Sequence, residues 1–179
     1  MDHALRRERG FVTVEVVRIA EADVEKLRAI RLEALKAHPE AFSADPDYEG
    51  ARPVELWREA IAKRAWFAAV EGSEWLGIAA FSRDTHSKKV AHVGSLGAMY
   101  VRAQARGKGV GDALIEAVLE EAAKDVEQII LTVNAENKPA IALYERHGFR
   151  AYGKAPRSLK TGGKYYDEIA MARAVSPAD

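Results

Sequence analysis

Apolar positions alternate with polar ones, or recur at helical spacing, along most of the chain. Val12 to Ile19 is rich in β-branched residues and predicts a first strand. From Ala22 to Ala37 the residues Val24, Leu27, Ile30, Ala34 and Leu35 fall at helical spacing, and His38-Pro39 supplies the stop. Phe42 to Arg52 reads as a polar loop holding Pro46 and Gly50. Pro53 suits the first turn of a second helix that runs to about Lys63, with Leu56, Trp57 and Ile61 on one side. Ala65 to Val70 and Trp75 to Ser82 flank Glu71-Gly72-Ser73-Glu74 and read as a hairpin. After a polar connection at His86 to Lys89, Val90 to Val101 predicts a long strand in which Gly94 and Gly97 suit a bulge or splay.

Val110 to Asp125 predicts a helix burying Leu114, Ile115, Val118 and Leu119. Gln128 to Val133 is nearly all apolar, as expected for a parallel strand covered on both faces. Asn137 to His147 has Pro139 in its first turn and Gly148 just past its end, the usual start and stop of a helix. Phe149 to Gly153 and Tyr165 to Arg173 read as a closing antiparallel pair. Their connection holds Pro156, Gly162 and Gly163 and the basic residues Lys154, Arg157, Lys160 and Lys164. The order predicts an α+β sandwich: a mixed, mostly antiparallel sheet of about seven strands with one parallel crossover, flanked by about four helices. Residues 1–10 read as a flexible lead-in and 11–175 as a single domain.

Composition narrows the function classes. At 179 residues the chain can bury a full core. Lys plus Arg (27) equals Asp plus Glu (27), which argues against holding nucleic acid by bulk charge. The absence of cysteine excludes a cysteine nucleophile or zinc–thiolate site on this chain, and no metal is expected. No apolar run approaches the roughly 20 residues that span a bilayer, and Met1 to Gly10 lacks the apolar core of a signal peptide. The expectation is a cytoplasmic protein with no nucleic-acid or membrane partner.

The stretch Met99 to Ala113 carries the chemistry. A strand end (Met99, Tyr100, Val101) leads into a basic turn with Arg102, Arg106 and Lys108. Three glycines at alternate positions follow (Gly107, Gly109, Gly111), and then a helix starts. Glycine admits close backbone approach, and a helix start presents unpaired amides and a favourable dipole, which together suit a phosphate or pyrophosphate. A Walker loop would need Ser or Thr after Gly107-Lys108, where Gly109 stands. A dinucleotide fingerprint would need Gly-x-Gly-x-x-Gly on the first strand–helix unit, and the spacing here is Gly-x-Gly-x-Gly far along the chain.

Gln104-Ala105-Arg106-Gly107-Lys108-Gly109 resembles the acyl-coenzyme A signature of the GNAT superfamily of N-acetyltransferases. That family's second block is matched by Asn137, Ala140, Leu143, Tyr144, Gly148 and Phe149. Lys164 to Ile169 and Arg31 to Leu35 also resemble bacterial members of unassigned specificity. The resemblance implies an acetyl-CoA-dependent N-acetyltransferase. By it, the amides of Arg106, Gly107, Lys108, Gly109, Val110 and Gly111 hold the pyrophosphate. The edge at Met99, Tyr100 and Val101 pairs with the pantetheine arm. The thioester lies where the fourth and fifth strands splay. Asn137 contacts the coenzyme, caps its helix, or does both. Tyr144 protonates the departing thiolate.

The base is open. Many members carry a glutamate on the fourth strand, and Val90 to Val101 has none. His92, Ser95, a water chain or Glu49 are the candidates. Without cysteine, direct attack by the amine in a ternary complex is expected. Asp45, Asp47 and Glu49 suit a cationic amine, whereas Arg157, Lys160 and Lys164 suit an anion, so the acceptor reads only as a small-molecule or peptide amine. Of the neighbours Tyr165 and Tyr166, at most one faces an acceptor pocket. A homodimer stays open, as does a non-catalytic acyl-CoA sensor of the same fold.

Overall fold

The computed structural model describes residues 14–83 and 85–175; the lead-in and the start of the first expected strand, Val12 and Thr13, lie outside the described residues. Seven strands form one sheet in the order β1-β2-β3-β4-β5-β7-β6. They are β1 (Glu15–Arg18), β2 (Ala65–Glu71), β3 (Glu74–Arg83), β4 (Val93–Val101), β5 (Gln128–Asn134), β6 (Arg150–Thr161) and β7 (Lys164–Ala174). Among the described residues only the β4–β5 pair is parallel. The helices are α1 (Val24–Ala37), α2 (Pro46–Ala51), α3 (Val54–Lys63), α4 (Val110–Ala122) and α5 (Lys138–Arg146).

The hydrophobic pattern becomes two cores, one on each sheet face. Leu114, Ile115 and Val118 of α4 pack with Phe67, Phe81, Leu96, Ile129, Phe149 and Met171. Leu27, Ile30 and Ala34 of α1 pack with Trp66, Trp75, Ile78 and Tyr100 on the other face. Strands β2 and β3 lie between both layers and are buried nearly throughout.

Four expectations need correction. Phe42 to Arg52 is not all loop: Asp45 caps the amides of Asp47 and Tyr48 at 2.9 Å each, Pro46 opens the first turn, and α2 forms as a fifth helix. Strand β5 is covered on one face only. Ile129, Leu131 and Val133 are buried while Thr132 is exposed, because α1 and α3 lie over β2 and β3 instead. The connection after Gly153 is strand: β6 and β7 continue to a tight turn at Gly162-Gly163. Pro156 is tolerated because β6 is the sheet edge and its register shifts between Ala155 and Leu159. The fourth strand begins at Val93, after a turn closed by the Val93 amide on the Val90 carbonyl (2.9 Å).

Candidate active site

The strand β4 has an open edge. Its parallel ladder with β5 covers only Val93–Ser95 against Gln128–Ile130. Beyond Ile130, β5 follows β7 out to Asn134, while β4 follows β3. A bulge marks the divergence: Ile78 pairs with Tyr100 and Ala80 with Gly97, so Ala98 and Met99 face Ala79 alone. Ala98 takes the strain, with φ of 53°. The result is a wedge between the C-terminal halves of β4 and β5. Gly97 and Gly94 were expected to mark this distortion. Gly97 adjoins it, but Gly94 stays in register with Arg83 and is glycine because a Cβ would lie 2.3 Å from the Phe81 ring.

Antiparallel geometry decides which β4 groups face the wedge. The Arg102 amide donates to the Leu76 carbonyl (2.9 Å), so the N–H and C=O of Val101 point away from β3. Alternation turns the backbone of Tyr100 toward β3, where its carbonyl crowds Gly77. Met99 and Val101 therefore face away from β3, toward an added strand, and Tyr100 does not, although the Val101 carbonyl is taken by the Arg106 side chain. The Tyr100 side chain instead packs under α1, its hydroxyl donating to Glu33 (3.0 Å). Arg102 clamps the same carboxylate at 2.7–3.2 Å. The Arg102 guanidinium holds the Glu33 carboxyl below the usual carboxylate range, while burial and then Glu33 push the Tyr100 phenol up.

At the wedge mouth, a 3-10 turn at Ala103–Ala105 leads to Arg106 and the glycine loop. Gly107 (φ 72°) and Gly109 (φ 80°) are left-handed, and Gly109 is the N-cap of α4. The first amides of α4 have no partner inside the helix and point out of its N-terminus beside the loop. Gly111 lies close to α5: a Cβ there would lie 2.9 Å from Leu143 Cδ2, so that side chain would have to shift. Lys108 is exposed and Val110 is buried as an anchor of α4. The Arg106 side chain folds back, its Nε donating to the Val101 carbonyl (3.1 Å) and its Nη2 lying 2.9 Å from His38 Nε2.

Tyr144 of α5 is buried in the core on the α4 face of the sheet, its ring edge-on to Phe149 with centroids 5.8 Å apart. Burial pushes its phenol far above the ordinary value. Asn137 caps α5, its side chain accepting from the Ala140 amide at 3.2 Å.

The candidate bases His92, Ser95 and Glu49 are not brought together. His92 is exposed in the turn before β4, where its carbonyl accepts from the Glu127 and Gln128 amides. It stands six residues ahead of Ala98, roughly 20 Å along an extended chain. Ser95 is still within the parallel ladder, short of the wedge. Glu49 pairs with Arg52 (2.9 Å) and, with Arg31, Trp57 and Trp66, lines a polar cavity of about 230 Å³ beside α2 and α3. Arg31 stacks on Phe42 at 4.8 Å, and burial lowers its pKa. The charges considered for acceptor choice are largely engaged within the chain. Asp45 caps α2, Arg157 and Lys160 lie over Tyr165 at 3.8 and 5.0 Å, and Lys164 pairs with Glu136 (3.1 Å).

Three residues went unnoticed in the sequence. Asn134 is the buried polar residue at the end of β5, its Nδ2 donating to the Glu40 carbonyl at 2.9 Å and its Oδ1 accepting from Glu136 at 2.8 Å. His38 and Glu40 follow α1, which brings them to Arg106 and Asn134. His38-Pro39 read only as a helix stop, and nothing local showed that the stop lies over the wedge.

Known proteins share this fold. The fold matches a GNAT acetyltransferase from Streptococcus pneumoniae with TM-score 0.80 at 23% identity, covering 90% of this chain and 99% of that one. It also matches a GNAT phosphinothricin acetyltransferase from Sinorhizobium meliloti in complex with acetyl-CoA, with TM-score 0.75 at 19% identity over 91% and 89% of the two chains. In sequence it is 28% identical over 125 residues to the L-amino acid N-acetyltransferase AaaT of Escherichia coli, covering 66% of this chain and 75% of that protein. It is 29% identical over 146 residues to a mycothiol acetyltransferase of Nocardioides, covering 77% of this chain and 50% of the relative. The chain thus spans from half to three quarters of the length of these curated relatives. The acetyltransferase (GNAT) family model matches residues 27–149, taking in most of α1, the open edge of β4, the glycine loop, β5 and Tyr144 of α5. The chain belongs to that family.

Proposed function

We propose that this protein transfers the acetyl group of acetyl-CoA to the primary amine of a small molecule, by direct attack within a ternary complex. The observation that carries this reading is the wedge between β4 and β5, with an open strand edge at Val101 that leads straight to a glycine loop and a helix start. An extended amide-bearing arm can add to the edge at Met99 and Val101 as a strand would. The amides of Gly107 to Gly111 suit the pyrophosphate that follows that arm. Asn137 stands at the start of the neighbouring helix, its side-chain oxygen already engaged as a cap.

Tyr144 is the proton donor in this reading. Its raised phenol stays protonated at any ordinary pH, so a proton is in place when the carbon–sulfur bond breaks. An acyl-enzyme on cysteine is excluded for this chain, which has none. His92 does not enter the reading, since it precedes β4 at the end away from the wedge, and Glu49 is engaged with Arg52. Small amines are favoured as acceptors because the relatives named for their substrates include an L-amino acid N-acetyltransferase and a phosphinothricin acetyltransferase.

A panel of amines and amino acids incubated with acetyl-CoA, read by release of free thiol, tests the reading. At least one amine should accelerate thiol release, with initial-rate lines that intersect. Parallel lines would overturn direct attack. Tight coenzyme A binding with no amine accelerating release would favour a non-catalytic sensor.

A further inference from the structure

The segment from His38 to Glu40 crosses the wedge. On the β4 side, the His38 ring lies 6.1 Å from the Tyr100 ring and its Nε2 meets Arg106 at 2.9 Å. On the β5 side, the Glu40 carbonyl accepts from Asn134 Nδ2 at 2.9 Å. The opposite face of the sheet is filled by the buried side chains of α4 and by Tyr144. An acceptor must therefore approach the wedge from the α1 face, where His38 and Glu40 stand about one-third exposed (33% and 37% of their side chains).

The contacts assign the tautomer of His38. A guanidinium only donates, so Nε2 must offer its lone pair to Arg106. Nδ1 then carries the proton and donates to Glu40 Oε1 at 3.3 Å. The imidazole is a neutral base backed by a carboxylate, an arrangement that suits proton abstraction and stabilises the imidazolium that forms. Its basic nitrogen is covered by the residue that opens the anion loop. The charged and titratable groups around the ring are Glu40 from its own segment, Arg106 from the loop before α4, and Tyr100 from β4. The Tyr100 hydroxyl is held in turn by Glu33 of α1, which also binds Arg102.

We propose that His38 is the proton acceptor for the incoming amine, and that an anion in the glycine loop frees it by drawing Arg106 away. This rests on the acetyl-transfer reading above. A pyrophosphate at Gly107 to Gly111 offers Arg106 a stronger partner than a neutral imidazole. With Nε2 uncovered, it takes one proton from the substrate ammonium. The amine lone pair then forms the C–N bond to the thioester carbonyl, and the C–S bond breaks with its electron pair on sulfur. The thiolate takes the Tyr144 proton, and the phenolate recovers a proton from the new amide nitrogen. His38 returns its proton to solvent, so the products are amide, coenzyme A thiol and one released proton. Binding of the donor before the amine follows from this order.

The test uses the full chain in two arms. In the kinetic arm, with an amine that the wild type acetylates, His38→Gln should lower kcat at neutral pH by roughly 10²-fold while leaving coenzyme A affinity unchanged. The deficit should shrink as pH rises and free amine becomes abundant, so the rising limb of the variant should follow the ionisation of the amine rather than coincide with the wild-type limb. An unchanged kcat with that limb intact overturns the proposal while the acetyl-transfer reading stands. The second arm needs no turnover: the ring nitrogens of His38 are followed by NMR with and without coenzyme A. The Nε2 signal should shift on adding coenzyme A as its bond to Arg106 is lost, and Arg106→Ala should show that shift without coenzyme A. An Nε2 signal indifferent to both overturns the proposal even if no amine is acetylated.

Discussion

Gly77 lies so close beneath Tyr100 that a Cβ on it would sit 2.5 Å from the Tyr100 carbonyl oxygen and 3.3 Å from Val101 Cα. The position of the open edge of β4 thus depends on a missing methyl group on β3. Backbone cannot yield as a side-chain end can. Gly77→Ala should cost about 1–3 kcal/mol, the usual penalty of overpacking, and lower Tm by several degrees. Displacing β4 should also raise KM for acetyl-CoA more than it lowers kcat. Calorimetry and initial rates check both, and an unchanged KM would show that the edge is set elsewhere.

Tyr144→Phe removes one hydroxyl and keeps the edge-on contact with Phe149. The variant should fold and bind coenzyme A as the wild type does, while kcat falls roughly 10²–10⁴-fold. Because burial raises the Tyr144 phenol, its loss of a proton should impose no alkaline limb on wild-type kcat up to about pH 10, the ordinary tyrosine value. A wild-type rate in the variant would remove Tyr144 from the chemistry.

Asn137 separates its two duties under substitution. Asn137→Ala loses the cap on the Ala140 amide and should cost about 1 kcal/mol of stability. Asn137→Ser keeps a capping oxygen, so its Tm should match the wild type within about 2 °C. If the side chain also meets the coenzyme, Asn137→Ser should still raise KM for acetyl-CoA, by about tenfold for one hydrogen bond. Equal KM values in wild type and Asn137→Ser would leave capping as its only duty.

Glu33 joins α1 to the end of β4 through Tyr100 and Arg102, and the Arg102 hydrogen bonds hold its carboxyl below the usual range. A lowered carboxylate contributes stability above its unfolded pKa of about 4.3 and loses it as pH falls through the folded value. With the Glu33 side chain 38% exposed, the contribution is screened and amounts to about 1 kcal/mol or less. Glu33→Gln should therefore melt a few degrees lower at pH 7, and the gap should close as the pH falls below about 4. A gap that persists at pH 3 would assign the effect to shape rather than charge.

Much of this protein is legible in its sequence because the signals are local. Hydrophobic spacing places Val24, Leu27 and Ile30 on one face of α1, and the glycine spacing marks Gly107 and Gly109 where φ is positive. The block from Asn137 to Phe149 carries the cap, the buried tyrosine and the stop at Gly148 in consecutive turns. Where local signals compete, the reading fails: Pro156 and the basic residues of β6 resemble a loop, and only its position at the sheet edge makes them strand. Asp45-Pro46 carried a helix start that a run of polar residues obscured.

What the sequence by itself determined is most of the elements and the glycine turn before α4, since each follows from residues close together in the chain. The tertiary structure alone decided which groups meet. Met99 and Val101 face the wedge and Tyr100 does not because the register with β3 fixes which amides are already spent. His92 is kept from the wedge because it precedes the first residue of β4, at the end opposite the divergence from β5, while His38 is carried to Arg106, 68 residues later, because α1 packs across the sheet. Proton transfer depends on proximity, and proximity across that separation comes from packing, which no spacing along the chain encodes.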